Sequence, residues 1–208
     1  MNSSEGLLSL PFPIILASQS PRRRQLLQQI GLHFSVQPAH IDELALPVDM
    51  QPDLYAGTLA MQKAQAIADQ QDKPACIIGC DTIVVLDTII LNKPANAAQA
   101  RIMLGMLSGR THTVYTGIAL VFPGTDIAPI QDVQSTQVSF RTLEDDEIEA
   151  YIATDSPMDK AGAYGIQDDF GAVFVESIQG CYYTIVGLPL EMLYRHLRSV
   201  SRIFNPDL

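Results

Sequence analysis

The sequence predicts an α/β fold built on a mixed, twisted β-sheet with flanking helices. Three observations carry that prediction. Short apolar or β-branched runs alternate with segments of helical period. Helix starts carry cap signals, Ser20-Pro21 and Asn96 with Gln99 three residues on. Several neighbouring strand segments are joined by short turns with no crossover helix, which argues against a purely parallel, doubly wound sheet.

In chain order, Ile14 to Ala17 reads as a buried strand, and Ser20 to Ile30 as a helix burying Leu26, Leu27 and Ile30. Gly31 is its stop. Phe34 to Gln37 is a second strand, followed by a loop that holds Pro38, Asp42, Glu43, Pro47 and Pro52. Pro52 to Gln71 is the longest helical pattern, with Leu54, Leu59, Ala60, Ala64 and Ile67 on its apolar face and Lys63 beside it. Ala75 to Gly79 and Thr82 to Leu86 read as strand, with Asp87-Thr88 turning into Ile89 to Leu91. Asn96 to Leu107 is a helix, Thr111 to Phe122 a long strand, Pro123 to Asp126 a turn, and Val133 to Phe140 a returning strand. Thr142 is read as the cap of an acidic helix, Glu144 to Thr154. Met158 to Asp169 is glycine-rich and irregular. Val173 to Ile178 and Tyr182 to Val186 read as strands around Gly180, and Pro189 to Val200 is the closing helix. The expected organisation is an extension over residues 1–13 and one domain over 14–208, with two lobes around a central cleft.

The chain has 208 residues, 47% of them hydrophobic, enough for a real core. A net charge of −10 argues against non-specific binding to nucleic acid or to an anionic membrane. Neither a signal peptide nor a membrane anchor is read in the sequence. Three cysteines without a C-x-x-C pattern read as reduced thiols in a cytosolic protein, and the four histidines lack the spacing of a zinc site.

Against that acidic background, Arg22, Arg23 and Arg24 stand together in a first helical turn. Cations are unfavourable at a helix N-terminus unless an anion sits among them. With Ser18 and Ser20 alongside, the stretch reads as a phosphate cradle; the plainer reading is three solvated arginines. Asp81 lies between two apolar runs. A buried carboxylate must be paired, hydrogen-bonded or metal-bound, so Asp81 is a general base, a ligand for a hard cation such as Mg²⁺, or a local strand-end cap. Glu43 is a second candidate acid or an ordinary loop acid. Lys63 and Lys93 either reach a phosphate or pair with surface acids. In Asp159 to Gln167, small residues permit close backbone approach to a ligand, Tyr164 and Ile166 look buried, and Gln167 can read a base edge; the plainer reading is a flexible surface loop. His112 reads as a surface or strand histidine rather than a catalytic one.

Six motifs in order resemble the Maf family of nucleotide pyrophosphatases: Leu-Ala-Ser-Gln-Ser-Pro-Arg-Arg (16–23), Asp-Thr-Ile-Val (81–84), Asn-Lys-Pro (92–94), Ser-Gly-Arg-Thr-His (108–112), Asp-Lys-Ala-Gly-Ala-Tyr-Gly-Ile-Gln (159–167) and Val-Gly-Leu-Pro (186–189). The resemblance implies a fold related to the inosine-triphosphate pyrophosphatases, a cytoplasmic homodimer and a divalent cation, Mg²⁺ or Mn²⁺. It implies attack of water on the α-phosphate of a nucleoside triphosphate, releasing the monophosphate and pyrophosphate. Asp81 matches the catalytic acid, and Glu43 with Asp81 the metal-binding acids. Ser18, Ser20, Arg22, Arg23, Lys63, Lys93 and Lys160 form the expected phosphate-binding set. Arg22, Thr82 and Gln167 match the specificity positions of the branch acting on dTTP and UTP, whereas the 7-methyl-GTP branch carries Trp, Gln and Glu there. Nothing in the family pattern asks for Arg24, which is left to the surface. The alternatives are 7-methyl-GTP or another canonical or modified nucleotide as substrate, or a nucleotide-binding regulator of cell division acting through a protein partner.

Overall fold

The computed structural model describes residues 8–41, 46–47, 50–167 and 170–206. In chain order its elements are β1 (Ile14–Leu16), α1 (Pro21–Gln29), β2 (Phe34–Val36), α2 (Pro52–Ala68), β3 (Cys76–Leu86), β4 (Ile89–Leu91), α3 (Ala97–Leu107), β5 (Thr111–Val121), β6 (Ile130–Phe140), α4 (Asp145–Ile152), α5 (Gly171–Phe174), β7 (Val175–Gln179), α6 (Tyr182–Val186) and α7 (Leu190–Phe204). The chain forms two compact units. The first takes the chain as far as Asp81, Gly117–Gln134 and the chain from Gly187; the second takes Thr82–Thr116 and Ser135–Val186.

In the first unit the strand order is β2-β1-β3-β5-β6. β1 is parallel to both neighbours, with Ile14 opposite Phe34 on one side and Cys76 on the other. Parallel neighbours need crossovers, and α1 and α2 supply them. Ser20 caps α1 by accepting from the Arg23 N–H, and Gly31 leaves the helix at φ +72°. Leu26 and Leu27 are buried, but Ile30 is only half-buried. On α2 the expected Leu59, Ala60, Ala64 and Ile67 are buried, while Leu54 is 55% exposed. One turn back from Leu59 and Ala60 stand Tyr55 and Ala56, so these two continue the stripe and Leu54 falls off it.

Two glycines let α2 lie close on the strands. A Cβ at Gly79 would stand 2.1 Å from the Ala60 carbonyl oxygen, and one at Gly117 2.4 Å from that of Ala56. The core between them is Ile15, Ala17, Ala60, Ala64, Ile67, Ile77, Ala119 and Val121. The closing helix α7 runs on to Phe204 and buries Leu190, Leu193, Leu197, Val200 and Ser201 at helical spacing. Ser201 Oγ accepts from the Ser9 N–H and donates to the Ser9 carbonyl, each at 3.0 Å.

In the second unit β4 pairs antiparallel with β3 across the turn at Asp87, which takes φ +55°. The remaining order is β3-β5-β6-β7, with β7 antiparallel to β6 and a register shift at Ser139/Phe140. The parallel β1 pairs and these antiparallel pairs together make the sheet mixed, as predicted. α3 starts at its Asn96 cap, which accepts from the Gln99 N–H at 2.9 Å. α4 corrects the predicted cap. Glu144, not Thr142, is the N-cap, in a reciprocal capping box with Glu147. Arg141 meets Glu147 through two nitrogens at 2.8 and 2.6 Å, and those bonds bring the Glu147 carboxyl down to about 2.

Tyr182 to Val186 is a second correction: it is helical, not strand. Its residues favour strands, but the chain around it is held otherwise. Gly180 ends β7 at φ +134°. The Thr136 hydroxyl then grips Cys181, donating to its carbonyl at 3.0 Å and accepting from its N–H at 2.9 Å. The Thr184 N–H turns back to that same Cys181 carbonyl, at 3.2 Å. A third correction concerns Val173, which lies in α5; β7 starts at Val175.

His112 sits in the core of this unit, 2% exposed, with Phe140 and Tyr164 edge-on to its ring. Its Nε2 lies 2.8 Å from the Tyr164 hydroxyl. Burial pushes its pKa from 6.5 down to about 4. The neutral ring therefore stabilises the fold above pH 6.5, and that stability is lost as pH falls from 6.5 toward 4, because the unfolded chain binds the proton more readily. Between pH 7 and pH 5 this one group is expected to cost about 2 kcal/mol. Denaturant unfolding at the two pH values checks it, and a His112→Gln variant should lose that part of the pH dependence.

Candidate active site

In the first unit, Ser18 and Arg23 come together where β1 passes into α1. Ser18 is 7% exposed. Its Oγ accepts from the Ser20 N–H at 3.2 Å and from Arg23 Nη1 at 3.1 Å. Both lone pairs are thus occupied and the hydroxyl proton remains to be given, which suits an anion. Arg23 is held from the other side by Nε donating to the Gly187 carbonyl at 2.9 Å. Its planar fork is thereby fixed in orientation. Ser20 keeps its capping role at the same turn. Arg22 is half-buried, and Arg24 is exposed with Nη2 on the Gln19 carbonyl at 3.4 Å.

The same unit pairs Asp81 with Lys63. Lys63 Nζ donates to Asp81 Oδ1 at 2.5 Å, and the two residues are 7% and 6% exposed. Asp81 is therefore a paired buried acid inside β3, not at its end, and the acid that Lys63 meets is this buried one. The ammonium favours the ionised carboxylate, and the carboxylate makes burial of the ammonium tolerable. Cys80, directly before Asp81, senses the same charges. Burial pushes its thiol up to about 11 although Arg23 and Lys63 both pull it down. Burial takes Cys76 to about 12. Neither thiol is a nucleophile at neutral pH.

In the second unit, Thr82 is half-buried on β3, and its Oγ1 lies 2.9 Å from Thr116 Oγ1. Gln167 is half-buried, yet its amide Nε2 and Oε1 are both shielded from solvent with no hydrogen-bond partner. Tyr164, which leads into that turn, is buried as expected, while Ile166 is half-buried. Gly165 N–H donates to the Tyr151 hydroxyl at 3.3 Å. Lys160 is 7% exposed; its Nζ donates to the Ser156 carbonyl, to Ser156 Oγ at 3.2 Å and to Asp159 Oδ1 at 2.8 Å. Lys93 is exposed. Glu43 lies outside the described residues.

Sequence reasoning missed two participants. Thr116 was legible only as a polar residue sharing a strand face with Val114 and Ile118. Gly187, whose carbonyl orients Arg23, offered only its place in the Val-Gly-Leu-Pro motif.

A Mg²⁺ site needs only one or two protein carboxylates when substrate phosphates and waters complete it. Asp81 supplies such a hard, buried oxygen donor, so the donor chemistry fits. Among the described residues there is no group of three metal-ligating side chains. No helix among them is long and apolar enough to cross a membrane.

The family model for Maf-like proteins matches residues 13–200. A dTTP/UTP pyrophosphatase from Salinibacter ruber is 47% identical over 194 residues, covering 93% of this chain and 93% of that protein. Another from Bacillus cereus is 43% identical over 194 residues, covering 93% and 91%. Among solved structures, a nucleoside-triphosphatase, dITP/XTP pyrophosphatase, from Mycobacterium abscessus aligns over 95% of this chain and 98% of its own, at 12% identity and a TM-score of 0.44.

Proposed function

The chain belongs to the Maf-like family, and from that premise we propose that it hydrolyses dTTP and UTP to the monophosphate and pyrophosphate. The observation that carries the chemistry is the buried Asp81–Lys63 pair, 2.5 Å apart. In this reading the Asp81 carboxylate orients the attacking water and accepts its proton at an oxygen. Lys63 keeps that carboxylate ionised and adds positive charge for the phosphates. Ser18 donates its remaining proton, and Arg23 its guanidinium, to phosphate oxygens as charge builds on them. Ser20, Arg22, Lys93 and Lys160 complete the phosphate-binding set. A divalent cation held by Asp81, with Glu43 as second acid, would neutralise phosphate charge and polarise the bond to be broken. Arg22, Thr82 and Gln167 read the base. A homodimer and a cytoplasmic location belong to the same reading, supported by the family alone.

The test is product analysis of the purified protein with Mg²⁺ or Mn²⁺ and a nucleotide panel. Pyrophosphate with dTMP or UMP is the expected outcome. Release of orthophosphate alone, or a preference for 7-methyl-GTP, sinks the proposal.

A further inference from the structure

We propose that Tyr151 is a positioning residue for base recognition: its hydroxyl holds the Gly165 N–H and so fixes where the Gln167 side chain is presented. The inference rests on the reading of Gln167 as a base-contacting residue.

Gln167 follows a stretch that is pinned from three elements of the second unit. Tyr164 is held from β5, where His112 Nε2 lies 2.8 Å from its hydroxyl, and its ring packs edge-on against Phe140 at 4.7 Å. Gly165 is held from α4, where the Tyr151 hydroxyl accepts from its N–H at 3.3 Å in a buried setting. On its carbonyl side Gly165 meets α5. A Cβ at Gly171 would stand 2.4 Å from the Gly165 carbonyl oxygen and 2.9 Å from the Tyr151 hydroxyl, so only bare backbone fits there. Tyr151 is a fixed post. It is 0% exposed, and its ring stands edge-on to Phe174 at 5.2 Å.

The far end of Gln167 has no such anchor. Its amide nitrogen and oxygen are shielded from solvent and find no hydrogen-bond partner among the described residues. Burying two polar atoms without partners is costly, and a base edge that pairs with them recovers that cost. Their place is set by the backbone that carries them, which Tyr151 grips two residues upstream. A buried N–H that loses its acceptor must shift to find another, and the turn carries Gln167 with it. Ser18, Arg23, Lys63 and Asp81 belong to the first unit, whereas Lys160 lies on the same stretch as Gly165. The test must therefore separate base from phosphate.

The experiment is a double-substitution cycle in the full-length chain: unsubstituted, Tyr151→Phe, Gln167→Ala, and both together. Phenylalanine keeps the ring and removes the acceptor. Calorimetry reads the Kd of UMP and of inorganic tripolyphosphate, a probe without a base, and its stoichiometry counts the folded fraction. Each single variant is expected to weaken UMP about 5-fold or more, the double variant to be no weaker than Gln167→Ala alone, and tripolyphosphate to bind all four alike. Effects on UMP that multiply, an equal loss with tripolyphosphate, or a Gln167→Ala variant that binds UMP normally each overturn the proposal. A second measurement needs no substitution. Coupling is reciprocal, so UMP should slow amide exchange at Gly165 about 5-fold or more beyond its effect at Gly105 in α3, and an equal effect at both overturns the proposal. Pyrophosphate release from UTP separates the two readings. If none is released but the UMP cycle is non-additive, the proposed reaction falls and the positioning role stands. If UTP is hydrolysed and the effects multiply, the positioning role falls and the reaction stands.

Discussion

Replacing Asp81 with asparagine is expected to lower turnover of dTTP about 1,000-fold while changing KM little. Asparagine fills the same space but cannot take a proton from water. It also leaves the Lys63 ammonium, 7% exposed, facing a neutral amide. Removing one partner of a buried pair costs stability as well as chemistry, so an unfolding midpoint must accompany the kinetics. The double change Asp81→Asn with Lys63→Met removes both charges. It is expected to recover stability and none of the turnover. Near-normal turnover in the folded single variant would show that Asp81 is not the base.

Gly79→Ala is expected to destabilise the protein by about 3 kcal/mol or more. The added methyl would stand 2.1 Å from the Ala60 carbonyl and 2.8 Å from Ala64 Cβ. The first is backbone, so relief requires α2 to move off β3. At this size each kcal/mol is worth about 2–4 °C, giving a fall in Tm of about 6–12 °C. Lys63 rides on α2 and Asp81 on β3, so activity should fall with the fold. Gly105→Ala is the control. It lies in α3 with nothing within 4 Å of the added methyl, and alanine there should be neutral or stabilising by about 0.5–1 kcal/mol. A thermal melt of both variants decides; equal Tm values would refute the close-packing account.

The parts of the fold that the sequence disclosed are those governed by local chemistry. Ser20-Pro21, Asn96 and Gly31 act where they stand, through caps and a left-handed turn, and they placed α1 and α3 within a residue or so. Tyr182 to Val186 went the other way because its helix depends on Thr136, about 45 positions distant in sequence. Likewise Asp81 was legible as a costly buried acid, but its partner Lys63 was not, since the pairing depends on α2 closing onto β3 across 18 residues. The sequence marked Thr82 through its motif. It could not show the Thr116 hydroxyl that stands 2.9 Å from Thr82 Oγ1, because the two are 34 positions apart in sequence.

The three thiols divide in their exposure to oxidants. Peroxide attacks thiolates that it can reach, and a high pKa with burial denies it both conditions. Cys76 and Cys80 meet that description, whereas Cys181 is only half-buried. Among the cysteines, oxidant access is therefore greatest at Cys181, and Cys80, directly before Asp81, is shielded by its burial.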